Sequence, residues 1–306
     1  MGRPDYCLEV PQEGTWTVYR LLRSRLGLSR GCWRRLRRHG LVTADGHPVQ
    51  GRCPLEPGQT VEVYLPQAAS AVKPEPVPLR IIYEDPFLLA VDKPAGMVIH
   101  PSPGYGGATL ANGVAFHLAR LGVDATPRPV RRLDRDTSGL TLWAKDPHTQ
   151  HRLSQAMAKA AITRVYLGVV AGRPPAAGEI DLPVGKLDGR PGRSVATGGK
   201  PARTCFNVLE AVGPGALLEL RPATGRTHQL RVHLAHLGHP LYGDSLYGGP
   251  PWPEAAPGSR QALHAHAMVL NHPHTGDGLR LEAELPADLH GLLQSLRAEA
   301  AAGDRQ

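Results

Sequence analysis

Cysteine is scarce: the chain of 306 residues has four, at 7, 32, 53 and 205, and no CxxC pair. That spacing excludes a small disulfide-stapled framework, and the thiols read as reduced, mostly core side chains of a cytoplasmic protein. No run approaches 18 consecutive apolar residues, so no membrane-crossing helix is expected. The start, "MGRPDYCLEV", lacks the apolar core of a secretory leader, and Tyr6 stands where a myristoylation motif needs Ser or Thr. The Gly-Lys-Ser/Thr ending of a phosphate-binding loop is missing, as is the HExxH pair of zinc proteases. No segment repeats. With 41% hydrophobic and 20% charged residues, wholesale disorder is excluded as well.

Positive charge is what abounds. A formal net charge of +8 and a pI near 9.6 suggest a polyanionic partner. The charge is concentrated: "RLLRSRLGLSRGCWRRLRRHG", Arg20 to Gly40, holds eight arginines and no acidic residue. Ser29 can cap a helix beginning near Arg30, and a 100° repeat sets Arg30, Arg34, Arg37 and Arg38 on one arc with Cys32, Trp33 and Leu36 opposite. A run of like charge is usually a solvated face. Eight uncompensated guanidinium groups repel one another, however, and here a phosphate-binding face is the better reading. Short alternating runs follow, separated by the turn signals Asp45-Gly46 and Pro57-Gly58. Residues 1–65 therefore read as a basic two-helix element with a small strand ribbon, and the Pro/Ala-rich stretch 66–79 as a semi-rigid linker.

Beyond the linker, strand-like runs ("LRIIYE", "FLLAVDK", "GLTLWAK") alternate with helix-like ones ("TLANGVAFHLARLG", "HTQHRLSQAMAKA") without a strict βαβ rhythm. Residues 80–306 are thus expected to form an α+β domain with a mixed sheet, its last residues fraying. Four stretches could carry chemistry. In "VRRLDRDTSGLTLWAKD" an extended run meets a turn built from Asp136, Thr137, Ser138 and Gly139, with Asp134 at the tip of a rigid hairpin. Neighbouring guanidinium groups favour the anionic carboxylate, which suits nucleophilic attack or charge stabilisation and not general acid work. The competing reading is a capped turn with surface ion pairs, a role that fits Asp136 better through bonds to the turn's own backbone. "GRTHQLRVHLAHLGHPLYGD" gathers Arg226, His228, Gln229 and Arg231, and its arginines suit either phosphate contacts or the partner of a buried catalytic carboxylate. Its four histidines read as structural, since no cysteine or carboxylate sits at ligand spacing among them. Tyr166 lies in the strand-like "ITRVYLGVVAG". Lys93 opens the glycine-rich "VDKPAGMVIHPSPGYGG", where a backbone approaches a ligand or another strand.

Together these stretches resemble the RluA/RluD family of RNA pseudouridine synthases over about Glu9 to Pro286. "RLDRDTSGL" is similar to the family's catalytic motif, "LLAVDKPAGMVIHP" to its opening strand and loop, and "RQALHAHAMVLNHPHTG" to its closing segment; residues 14–65 resemble an S4-type RNA-binding module. The resemblance implies a large, mainly antiparallel sheet with flanking helices and a central cleft. It implies Asp134 as nucleophile, Tyr166 stacking on the target base, Arg231 pairing with the aspartate, and Arg132 holding the nucleotide flipped out. Lys93, Arg226, His228 and Gln229 become candidates for substrate contacts. Arg30, Arg34, Arg37, Arg38, Lys186, Arg190, Arg193, Lys200 and Arg203 become candidates for RNA contacts. Two positions depart from the pattern: Arg131 stands where a histidine usually heads the motif, and Thr163 where a basic residue commonly precedes the tyrosine by three. The expected partner is RNA, with large-subunit ribosomal RNA favoured over tRNA, and the expected state a monomer without membrane, metal or cofactor. A non-catalytic RNA-binding or ribosome-assembly factor and a metal-dependent hydrolase are the alternatives.

Overall fold

The computed structural model describes the chain except for residues 1–3, 29, 40, 65–71, 102–106, 124–125, 188–191, 255, 257–258 and 304–306. The Ser29 cap and Arg190 therefore lie outside the described residues, as do the side chains of Arg30 and Cys32.

The N-terminal elements run β1 (Tyr6–Glu9), β2 (Trp16–Thr17), α1 (Val18–Leu26), α2 (Arg30–His39), β3 (Leu41–Ala44), β4 (His47–Pro48), β5 (Pro54–Leu55) and β6 (Thr60–Tyr64). Thr17 accepts a bond from the Arg20 N–H to start α1, and Gly27 ends it in the left-handed conformation at φ 63°. Val18, Leu21, Leu22 and Leu26 recur at helical spacing and pack with Val61 and Val63 of β6 in one cluster. The antiparallel sheet has the order β1-β6-β3-β4, and Asp45-Gly46, at φ 47° and 80°, makes the expected tight turn. Strand β1 has no counterpart in the sequence pattern. Its Cys7 is exposed between inward Tyr6 and Leu8, and Cys53 and Cys205 are half-buried, which corrects the expectation of core thiols.

The larger part contains β7 (Arg80–Glu84), β8 (Leu88–Lys93), α3 (Leu110–Arg120), β9 (Arg128–Pro129), β10 (Ser138–Ala144), α4 (Pro147–Ala158), β11 (Thr163–Ala171) and β12 (Ala177–Asp181). After these come β13 (Val184–Lys186), β14 (Arg193–Val195), β15 (Arg203–Val212), β16 (Gly215–Pro222), α5 (Gln229–His236), β17 (Leu263–Asn271), β18 (Gly278–Glu282) and α6 (Ala287–Gly303). Among the described residues ten strands form one sheet in the order β12-β15-β16-β11-β17-β10-β8-β7, with β18 on β17 and β9 on β10. β10 and β17 run parallel and the other paired strands antiparallel, which is the expected mixed, mainly antiparallel sheet.

Alternation along the strands covers both faces. On β8, Leu88 and Ala90 pack in the cluster beneath α4, while Leu89 and Val91 pack with α3. On β11, Tyr166 and Val170 face α5, and Val169 faces α6. Leu133 touches both the α3 and the α5 clusters, which sets Asp134 between those two helices.

The stretch expected as a linker is strapped down where it is described. Val72 is buried against α3, Asn112 donates to the Lys73 carbonyl at 2.8 Å, and Glu75 accepts from the Ala108 N–H at 2.7 Å. Pro/Ala-rich composition announces a connector, but Val72, Val77 and Leu79 give it an apolar side to bury. The C-terminal residues expected to fray are helical in α6 as far as Gly303, and residues 304–306 lie outside the described residues.

Candidate active site

The turn carrying Asp134 is held from below. Its carbonyl accepts from the Thr137 N–H at 3.2 Å, Thr137 and Ser138 are buried, and Gly139 (φ 106°) abuts β17 so tightly that a Cβ there would lie 2.2 Å from the Ala265 carbonyl oxygen. The Arg260 guanidinium, bound through two nitrogens to Asp288 of α6, also donates to the Asp136 carbonyl and the Ser138 hydroxyl, each at 3.1 Å. Ser138 Oγ in turn meets His264 Nδ1 at 2.9 Å. The C-terminal helix thus steadies the turn, a link that no local pattern announces.

Lys93 is fully buried beneath the same turn. Its Nζ donates to the carbonyls of Pro94, Met97 and Arg135 at 2.9, 3.0 and 2.7 Å, and burial, only partly offset by Asp136, brings its pKa down to about 7. All three N–H groups are committed to backbone, so the expected substrate contact is corrected to a brace under the turn. Asp136 is engaged by its neighbour Arg135 (Nε to Oδ1 3.1 Å), where a bond to the turn's own backbone was expected.

Arg231 projects from α5 and is only 8% exposed. Its main partner is Asp244, bound bidentately at 2.7 and 2.6 Å, and its Nη1 reaches Asp134 Oδ2 at 3.6 Å. Burial opposes the charge, but the hydrogen bonds and charge of Asp244 outweigh it and raise the arginine's pKa. The expected Asp134–Arg231 pair is present, with Asp244 as the closer partner. Asp244, itself 1% exposed, is the residue that sequence reasoning missed; it closes the quoted motif, but its contact with Arg231 depends on the chain turning back after α5. Asp134 is less buried than expected, with 28% of its side chain exposed.

His228 sits at the start of α5 in the left-handed region, φ 58°. Its Nδ1 meets the Tyr247 hydroxyl at 2.7 Å, its Nε2 stands 3.8 Å from Asp134, and burial depresses its pKa. Gln229 lines the cavity over Asp134, but its amide is engaged within the protein: Oε1 accepts from Thr224 and the Arg226 N–H, and Nε2 donates to the Arg203 carbonyl and Thr204. It fastens the loop that presents Arg226 and His228. Of the other histidines, His233 bonds Thr204 and the Leu182 carbonyl, and His239 the Ala171 carbonyl, each at 3.0 Å or less.

A cavity of about 510 Å³ opens over Asp134, lined also by Tyr166, Arg131, Arg132, Arg164, Arg226, His228 and Arg231. The β11–β17 register shifts between Val165 and Tyr166, a bulge of the kind that re-aims a side chain at a site. Arg164, two residues before Tyr166, is a second residue that the sequence reading passes over. It is 6% exposed, donates to the carbonyls of Pro222 and Thr224, and keeps a buried Nε without a partner among the described residues. A cation inside the apolar "ITRVYLGVV" is the available signal. It supplies a basic group beside the tyrosine, although Thr163 does not. Arg131, the other departure, lies over Gly225 so closely that any Cβ there would overlap its guanidinium. Among the described residues Asp134 is the single carboxylate lining this cavity, so its interior is strongly electropositive.

The candidate RNA-contacting residues lie elsewhere on the surface. Arg34, Arg37 and Arg38 are exposed on α2, and Lys186, Lys200 and Arg203 near the β13–β14 ribbon. Lys186 and Arg193 face each other directly across that ribbon, an unfavourable pairing unless an anion lies between them.

A family model described as RNA pseudouridylate synthase matches residues 88–236. An uncharacterized RNA pseudouridine synthase of Chloroflexus aurantiacus is 39% identical over 285 residues, spanning 89% of this chain and 87% of its own. Ribosomal large subunit pseudouridine synthase D of Nitrosomonas europaea is 38% identical over 278 residues, spanning 87% and 81%. Among solved structures, human RNA Pseudouridylate Synthase Domain Containing 4 superposes with a TM-score of 0.58 at 25% identity, over 71% of this chain and 92% of that one.

Proposed function

The chain belongs to the RluA/RluD-type RNA pseudouridine synthases, and from that premise we propose that it isomerises uridines of large-subunit ribosomal RNA with Asp134 as nucleophile. One observation carries the reading: a lone carboxylate at a cavity with Tyr166, facing the Nη1 of an arginine whose other nitrogens are locked by Asp244. Its likeness to a protein named ribosomal large subunit pseudouridine synthase D supports the choice of RNA.

Isomerisation breaks the N1–C1′ bond, turns the base and joins C5 to C1′, with the C5 proton lost and N1 protonated, so no electrons or groups are exchanged with a cofactor. The base must first leave its stack, at a cost of a few kcal/mol. Tyr166 stacking offsets about 1–3 kcal/mol of this, and the exposed Arg132 stands at the rim to occupy the vacated space. Asp134 then acts at the ribose, by addition to C1′ or by promoting elimination to a glycal. Arg231 stabilises the carboxylate and, being fixed by Asp244, needs no rearrangement as charge moves. Arg131, Arg164 and Arg226 surround the bound nucleotide with cationic groups that hold the detached base and the phosphates of the RNA backbone.

The test is the purified protein on transcripts of large-subunit ribosomal RNA and of tRNA, with pseudouridines mapped by carbodiimide adducts. Product in the ribosomal transcript, abolished by Asp134→Asn, is expected. Product confined to tRNA overturns the substrate, and equal product from the variant overturns the nucleophile.

A further inference from the structure

A second cavity, larger than the one over Asp134, lies in the N-terminal part, about 860 Å³ against about 510 Å³. That size falls within the roughly 300–1,000 Å³ of sites that hold small ligands. It opens between α2, the start of α1 and the segment Val49–Arg52, on a floor that includes buried Val18, Leu36 and Val42.

Its walls are aromatic and cationic. The Tyr19 and Trp33 rings stand 4.9 Å apart at 52°, both half-buried, and the exposed Arg37 and Arg52 form part of the rim. Among the described residues no Asp or Glu lines the cavity. The rings are set in place by their neighbours. Trp33 lies over Gly51, where a Cβ would come within 2.3 Å of its ring, so the absence of a side chain at 51 is what lets the indole settle. Arg23 donates to the Tyr19 hydroxyl at 3.1 Å, with its guanidinium 5.9 Å from the ring centre. Side chains ordered before binding lose little entropy when a ligand arrives.

A recess with two fixed ring faces and a guanidinium rim suits a flat, apolar-faced group that carries negative charge beside it. An acidic peptide satisfies the rim and leaves the rings unused; an apolar peptide does the reverse. A nucleotide satisfies both, and only an unpaired one has a free face. We propose that this cavity stacks an unpaired base of the substrate RNA away from the uridine being isomerised, with Arg37 and Arg52 on the flanking phosphates. The chain then grips its RNA at two points, and a uridine is selected partly by having an unpaired nucleotide at the right distance. This inference rests on RNA being the substrate.

The experiment titrates full-length protein with a single-stranded oligouridylate and with an RNA duplex of equal length, reading tryptophan fluorescence and affinity. Trp33→Ala and Tyr19→Ala should each weaken single-strand binding about 5- to 150-fold, the equivalent of about 1–3 kcal/mol of stacking, while duplex binding shifts far less. Trp33→Phe should recover most of the loss, which a misfolded module could not do. Arg52→Gln should lower the salt slope of single-strand binding by about 0.7. The proposal is overturned if Trp33→Ala binds the single strand as wild type does, if it loses both probes equally without rescue by Phe, or if oligoglutamate competes as well as oligouridylate. Isomerisation by the wild-type preparation is followed alongside. Ring-dependent binding without isomerisation would sink the enzymatic reading and leave this site standing.

Discussion

Arginine does opposite things in the two halves of this molecule. On α2, Arg34, Arg35, Arg37 and Arg38 point into solvent, where their charge is screened beyond about 8–10 Å at ordinary salt. Around Asp134, Arg231 is 8% and Arg164 6% exposed, and each is fixed by named oxygens: Asp244 for one, the Pro222 and Thr224 carbonyls for the other. Presented charge attracts a polyanion and can be diluted by salt. Held charge is fixed at the wall of the cavity and resists salt, but it depends on its partner. The same side chain therefore serves reach in one place and position in the other.

Removing the partner of a held charge should do the most damage. Asp244→Ala leaves the buried Arg231 guanidinium uncompensated, and a loss of about 3–5 kcal/mol in chemical denaturation is expected, with isomerisation falling alongside. Wild-type stability in this variant would mean that Asp244 is no more than a neighbour.

Acid should reach the held region next. Burial keeps His148, His264 and His274 at about 4, below the ordinary 6.5, so the unfolded chain takes up more protons between those values. The stability they confer is complete above pH 6.5 and is lost progressively as pH falls towards 4. His264 bonds Ser138 in the turn that carries Asp134, and His148 and His274 lie against Tyr6, whose hydroxyl donates to Asp146. Thermal unfolding at pH 7, 5.5 and 4.5 should show a falling midpoint; a flat profile would contradict buried neutral imidazoles. The smallest effect is expected on the presented charge. Arg37→Gln with Arg38→Gln should leave folding intact and reduce the salt slope of RNA binding by about 0.7 to 0.9 for each phosphate that is no longer neutralised. An unchanged slope would show these arginines to be a solvated face.

Much of this arrangement is legible in the residues. Thr-Ser-Gly announces the turn, where only glycine fits against Ala265 at position 139, and the apolar run in "LLAVDK" announces a strand, which the fold covers on both faces. What escapes are pairings across the fold. Charge in a sequence says that a carboxylate and a guanidinium are present and leaves open which two will meet. Arg231 thus meets Asp244 as well as Asp134, and Lys93 turns inward to backbone carbonyls. The bulge before Tyr166 depends on β17, about a hundred residues later, and has no local signature.

The most direct test of the central claim is pseudouridine mapping of total RNA from cells lacking this gene, complemented with wild type or with Asp134→Asn. Sites in large-subunit ribosomal RNA that vanish in the deletion and return only with wild type are the predicted result. Sites restored equally by the Asp134→Asn chain, or no site that depends on the gene, would contradict it.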